Sequence, residues 1–95
     1  MHALDALGNP TRRTILRTLQ ASPLAVGELA ARFPVSRPVI SRHLRVLEEA
    51  GLVEQRERGA RNVYAVRVQG LASVREFVDE FWETALSRLE ELASE

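Results

Sequence analysis

The stretch Ser36–Val53, SRPVISRHLRVLEEAGLV, decides how the rest of the chain is read. Placed on a helix at about 100° per residue, Ile40, Leu44 and Leu47 form one apolar rail. Arg37, Pro38, Ser41, Arg42 and Arg45 gather on the opposite side, with His43 at the flank. Every charged residue between Glu28 and Glu48 is an arginine, and the acids Glu48 and Glu49 sit at the C-terminal end. The basic first turns, reinforced by the positive end of the helix dipole, are therefore free to approach an anion. Arginines so placed, with Ser41 between them, can reach guanine edges or phosphates from a DNA major groove. Taken alone, the same arginines are better explained as the solvated face of an amphipathic core helix. The flanking sequence has to decide.

Upstream, VGELAARF (26–33) predicts a compact helix with Val26, Leu29, Ala30 and Phe33 on one side, and Pro34-Val35 breaks it. Ser36 is then placed to cap the next helix, and Gly51 suits a left-handed residue at its end. Two helices separated by so short a break form a helix-turn-helix unit. Downstream, LVEQRE (52–57) and NVYAVRV (62–68) read as strands around RGAR (58–61), with Gly59 in the turn. A hairpin directly behind a helix-turn-helix predicts a winged helix. Arg56, Arg58 and Arg61 surround the hairpin tip and make it a second candidate DNA contact. Glu54 and Glu57 dilute that charge, so a merely solvated turn is the competing reading.

Toward the N-terminus, residues 3–8 predict a short first helix displaying Leu4 and Leu7. Asn9-Pro10 then opens a second, with a capping side chain followed by proline at the first helical position. It shows Ile15, Leu16 and Leu19 at helical spacing and stops near ASPL (21–24). Arg12 and Arg13 at its start are candidate phosphate clamps, with structural bonding at least as good a reading.

The tail, 71–92, predicts a long helix. Leu71, Val74, Val78, Phe81, Ala85 and Leu92 follow alternating three- and four-residue steps; Leu89 lies close to that seam, and Phe77, Trp82 and Leu86 widen it. This is too much apolar surface to leave in water. A seam of this period suits pairing with the same helix of a second copy, which is favoured over folding back on its own domain.

A chain of 95 residues holds one small core. One domain is expected over 1–95, with the helix-turn-helix at about 26–50, the wing at about 52–68 and the pairing helix at about 71–93. The absence of cysteine removes disulfides, thiolate catalysis and sulfur-ligated metals. The zero net charge conceals a partition. Residues 1–70 hold 11 Arg against 6 acids, and residues 71–95 hold 2 Arg against 7 acids. That asymmetry hints at a basic working surface and an acidic segment kept away from it. No apolar run approaches the roughly 20 residues of a membrane helix, and the first ten residues lack a signal pattern, so a cytoplasmic protein with no membrane partner is expected. Ser41 and His43 lie two apart on one helix and point about 200° from each other, so they cannot form a nucleophile–base pair. With no glycine-rich phosphate loop, neither enzyme activity nor a cofactor is expected.

ALGNPTRRTILRTL (6–19), LAVGELAARF (24–33), the opening stretch and ERGARNVYAV (57–66) together resemble the ArsR/SmtB-type winged-helix transcriptional repressors. The S-x-H-L-x-x-L-x-x-A-G-L-V pattern, Ser41 to Val53, is the most specific part, and FWETALSRLEEL (81–92) is similar to the family's dimerising last helix. The resemblance implies a mainly α fold of five helices with a two-stranded wing, dimerising through its first and last helices. It further implies a homodimer bound to double-stranded DNA at a pseudo-palindromic operator. Arg37, Ser41, Arg42 and His43 then fall on the recognition-helix contact positions, with the contact or packing role of His43 left even. The interface it implies comprises Leu4, Leu7, Leu71, Val74, Val78, Phe81, Trp82, Ala85 and Leu89.

The departures point away from metal sensing. Where many members carry a cysteine pair, this chain has Ala25 and Gly27, and residues 71–95 contain no histidine. Asp79, Glu80 and Glu83 remain there, but carboxylates alone make a poor transition-metal site, and a solvated face explains them better. No metal is expected, and the chain resembles the non-metal branch that includes small autorepressors such as SdpR. Pro34 also departs from a frequent glycine; proline cannot take positive φ, so the turn must adjust locally. Two competing functions remain: a winged-helix protein–protein module, and a repressor responding to a small organic ligand held between the last helix and the core by Phe77, Phe81 and Trp82.

Overall fold

A computed structural model describes residues 2–94. In chain order the elements are α1 (Ala3–Ala6), α2 (Pro10–Ala21), α3 (Val26–Ala30), α4 (Arg37–Glu49), β1 (Val53–Arg58), β2 (Arg61–Val66), a 3-10 turn (Val68–Leu71) and α5 (Ala72–Ser94). The expected architecture, five helices with a two-stranded wing, is what the chain adopts.

One core unites α1 to α4 with the base of the hairpin. Ile15 and Leu19 from α2, Leu29 from α3, Ile40, Leu44 and Leu47 from α4, and Leu52 and Val53 entering β1 are all buried. Ala3 and Ala6 carry α1 into that core, while Leu4 and Leu7 are half-buried. Burying such aliphatic side chains contributes about 1.5–3 kcal/mol each, which for a chain this small is the main favourable term.

Local chemistry sets the helix ends. Asn9 Oδ1 accepts from the Arg12 N–H at 3.1 Å, as an N-cap should. Ser36 holds the N-cap position of α4 with extended backbone, but its hydroxyl caps nothing. The cause is Pro38, which removes the N–H at the second helical position, while Val39 donates to the Ser36 carbonyl. At the other end of α4, Leu52 N–H donates to Leu47 O at 2.9 Å and Gly51 N–H to Glu48 O at 3.0 Å. Gly51 sits at φ 76° between them, completing a Schellman turn whose apolar pair is Leu47 and Leu52.

Helix α3 is shorter than 26–33. After Ala30 the chain tightens into i,i+3 bonds, Arg32 N–H to Leu29 O and Phe33 N–H to Ala30 O, before Pro34 leads it away. Among the described residues only glycines have positive φ. The break before α4 therefore turns without a left-handed residue, the local adjustment that Pro34 demands.

The wing pairs β1 with β2 antiparallel, Val53 opposite Val66 through Arg58 opposite Arg61. Gly59 and Ala60 make the two-residue turn; positive φ at the first and not the second is the type II′ pattern. A further pairing had no signal in the sequence: Leu24 and Tyr64 exchange both backbone bonds, at 3.1 and 2.8 Å. The link between α2 and α3 thereby becomes a third, one-residue strand that anchors the wing. β2 ends at Val66, two residues short of the expected strand, because Val68–Leu71 winds into the 3-10 turn.

At about 1.5 Å per residue, the 23 residues of α5 extend roughly 35 Å. Only its first turns touch the core, through Val74 and the preceding Leu71. Beyond them the helix projects, giving overall extents of 62 × 27 × 23 Å. Phe81 and Trp82 are each 62% exposed and Leu89 61%, so α5 does not fold back on its own domain. Nor do Phe77, Phe81 and Trp82 close a pocket against the core; Phe77 and Phe81 stack edge-to-face on the same helix, ring centroids 5.0 Å apart.

Candidate nucleic-acid interface

The buried rail of α4 leaves its other faces to solvent. Arg37, Pro38, Ser41, Arg42 and Arg45 are all exposed, while His43 is half-buried at the flank. Among the described residues, Arg37, Arg42 and Arg45 form no ion pair. Their charges are therefore not spent within the fold. Helical geometry divides the exposed residues into a crest, Pro38, Arg42 and Arg45, and two flanks.

One flank looks toward α3 and the wing. There the Arg37 guanidinium lies over Gly27, 3.6 Å from where a β-carbon would stand, so Arg37 leans across α3 instead of standing on the crest. Farther along the same flank, Gln55 Nε2 of β1 donates to Glu48 Oε2 at 3.0 Å. The other flank, with Val39, His43 and Val46, faces the start of α2. Burial lowers the pKa of His43 from 6.5, and the charges of Arg12 and Arg42 lower it further. The imidazole is accordingly neutral at neutral pH.

The wing arginines separate into distinct situations. Arg58, exposed, stands directly across from Arg61 at the tip. Like charges directly opposite repel, and Arg61 relieves this by pairing with Glu28 of α3. Arg56 pairs with Glu54 on its own strand at 2.8 Å. Both pairs are exposed and individually contribute little to stability, but the Glu28 contact joins wing to helix across 33 positions. Glu28 Oε1 also accepts from the Ala25 N–H at 3.1 Å, serving the start of α3.

Sequence reasoning missed this double use of Glu28, and no local pattern could reveal a contact so distant along the chain. Arg12 and Arg13 are both held against the end of α1. Arg12 Nε donates to Ala6 O at 2.6 Å and Arg13 Nη1 to Leu7 O at 2.8 Å. They satisfy carbonyls that the end of α1 leaves without helical partners.

A basic helix presented beside a β-hairpin, on a fold of this order, defines a winged helix-turn-helix DNA-binding protein. The profile of a helix-turn-helix domain family matches residues 7–56. The HTH-type transcriptional regulator Rv2034 of Mycobacterium tuberculosis is 51% identical over 85 residues, covering 90% of this chain and 79% of that protein. The transcriptional repressor SdpR of Bacillus subtilis is 34% identical over 58 residues, 61% of this chain and 64% of that one. A crystal structure described as a possible transcriptional regulator for arsenical resistance superposes with a TM-score of 0.78 at 44% identity, covering 96% of this chain and 95% of that one. The homodimeric winged helix-turn-helix DNA-binding domain Mb0332 of Mycobacterium bovis, a possible ArsR-family regulator, superposes with a TM-score of 0.65 at 29% identity, over 83% and 73% of the two chains.

The chain belongs to the ArsR/SmtB-type winged-helix regulators. It is a DNA-binding transcriptional regulator, as its relatives are, and not an enzyme. No helix among the described residues is long and apolar enough to cross a membrane.

Proposed function

We propose that this chain is a homodimeric repressor that binds a pseudo-palindromic operator through α4 of each copy and does not sense metals. The observation that carries the reading is the pairing of two unspent surfaces on one small chain. The crest of α4 offers unpaired arginines, and α5 offers an apolar seam, Phe81, Trp82 and Leu89 among it, that its own domain leaves in water. A second copy covering that seam presents two α4 helices, which should lie about 34 Å apart to enter successive major grooves.

The interface we assign comprises Leu4, Leu7, Leu71, Val74, Val78, Phe81, Trp82, Ala85 and Leu89, with half-buried Leu4 and Leu7 beside the root of α5. Homodimerisation of the Mycobacterium bovis neighbour supports the arrangement, and the description of SdpR as a repressor supports the regulatory sign. The acids of α5 keep the pairing helix away from the DNA phosphates. Arg42 and Arg45 on the crest, with Ser41 and Arg37 on the wing side, read base edges, and Pro38 packs beside them. His43, Arg56, Arg58 and Arg61 contact backbone. The expected location is the cytoplasm, with the DNA it binds.

Absence of cysteine and of histidine from 71–95 supports a regulator without a metal switch. The test is selection of bound duplexes from random DNA, followed by titration of Arg42→Ala on the selected site. Wild type should show steep salt dependence, and the variant should lose selective binding, by tenfold or more at about 1–3 kcal/mol per base contact, while remaining dimeric. Unchanged affinity would refute the role of Arg42. Absence of salt-dependent duplex binding would favour a protein–protein module.

A further inference from the structure

We propose that the notch between the start of α2 and the far flank of α4, lined by Arg12, Val39, Arg42, His43 and Val46, is a phosphate-binding site whose occupation protonates His43. The proposal deepens the operator-binding reading above. It adds a second anchoring wall for the DNA and a proton linked to its binding.

Three nitrogen-bearing side chains from two elements converge on an open space of about 340 Å³, and no carboxylate lines it. Arg12 is fixed there: its Nε donates to Ala6 O at 2.6 Å and its Nη2 reaches Asp5 O at 3.5 Å. Those bonds use carbonyls, which do not neutralise the guanidinium, so its charge remains directed into the notch. Arg42 contributes a second unpaired charge from the crest of α4. The charged side chains acting on His43 are thus Arg12 from α2 and Arg42 from α4, both positive. α1 contributes the carbonyls that Arg12 already occupies. One held guanidinium, Arg12, and one exposed guanidinium, Arg42, flank a half-buried imidazole, and phosphate oxygens can accept charge-assisted bonds from all three.

The placement of the notch decides which phosphate is expected. Arg37 and Glu48 mark the flank of α4 that faces α3 and the wing; Val39, His43 and Val46 mark the opposite flank. A helix lying in a major groove has a phosphate backbone on either side. The wing addresses one wall, and the notch addresses the other. An arriving phosphate offsets one of the two positive charges beside the ring and offers it an acceptor, so the imidazole takes up a proton from solvent more readily as the complex forms. Affinity then rises as pH falls, by at most about tenfold per pH unit for one linked proton.

The chain contains only two histidines, His2 and His43, so ring signals of wild-type protein report the site directly. The experiment follows the His43 ring resonances through a pH titration under three conditions: protein alone, protein with a selected duplex, and protein with inorganic phosphate replacing chloride at matched ionic strength. His43 is expected to titrate below 6.5 alone and distinctly higher with duplex. A rise with inorganic phosphate as well supports the site and identifies a free anion as a competing source. In parallel, duplex affinity measured from about pH 8 to about pH 6 should strengthen for wild type and flatten for His43→Asn. A duplex that binds selectively without moving the His43 titration, together with no response to phosphate, overturns the notch and leaves the operator reading intact. Failure to bind any duplex overturns the operator reading, and the phosphate condition still judges the notch.

Discussion

Replacing Gly70 with alanine should damage this protein more than any other single added methyl group on its glycines. A β-carbon at Gly70 would stand 1.8 Å from Gly51 O, 2.7 Å from Gly51 C and 3.3 Å from Leu52 Cα. These are backbone atoms, so no rotamer change relieves the overlap. Gly51 is locked in the left-handed turn that ends α4, and Leu52 is fully buried beneath it. The 3-10 turn must therefore lift, carrying Leu71 and Val74 partly off the core. Overpacking typically costs 1–3 kcal/mol, and a backbone collision belongs at the upper end. A loss of about 3 kcal/mol is expected, from a total of about 5–14 kcal/mol for a chain this long. At about 4–8 °C per kcal/mol, the melting temperature should fall by roughly 12–24 °C. Thermal and urea unfolding followed by circular dichroism would measure it, at one chain concentration because a dimer's midpoint depends on concentration. Gly59→Ala is the control: it has φ 65° but open space around it, so it should cost only the left-handed penalty of about 1–2 kcal/mol. If Gly70→Ala costs no more than Gly59→Ala, the close approach between the two chain segments is wrong.

Phe81→Glu places a charge in the centre of the α5 seam and should yield folded monomers with much weaker operator binding; a sizing column still showing dimers would refute the interface. Asn9→Ala removes the bond to the Arg12 N–H and should cost about 1 kcal/mol in urea unfolding, with no change in oligomeric state. The lowered pKa of His43 fixes a sign for stability in the absence of DNA. Unfolded chains bind the proton first, so stability is full above 6.5 and declines as pH falls from there toward the folded value. His43→Gln should lack that decline in a pH series of unfolding midpoints, and an identical decline would remove His43 as its source.

The elements of this fold are legible because each has a short-range cause. Asn9-Pro10 starts a helix, Gly51 ends one, Gly59 turns a hairpin, and the spacing of Ile40, Leu44 and Leu47 is itself the buried rail of α4. Even the missing cap at Ser36 has its cause written two residues on, in the absent N–H of Pro38. The basic crest of α4 was equally visible, since a helical period assigns faces without knowledge of their neighbours. The same period could not say that Arg37 bends over Gly27, that Arg12 and Arg13 serve the end of α1, or that Leu24 pairs with Tyr64. Each of these depends on where a different element lies.

The order of helices, the wing, the apolar seam of α5 and the basic outer face of α4 all follow from periodicity, capping and turn chemistry within a few residues. Tertiary structure decided which of those arginines remain unpaired, that Glu28 joins α3 to the wing, that α5 leaves its domain instead of covering it, and that Gly70 meets Gly51 backbone to backbone. The difference is one of range. Local conformational preferences act through neighbouring backbone groups, whereas ion pairing, burial and steric contact act between atoms that only the packed core brings together.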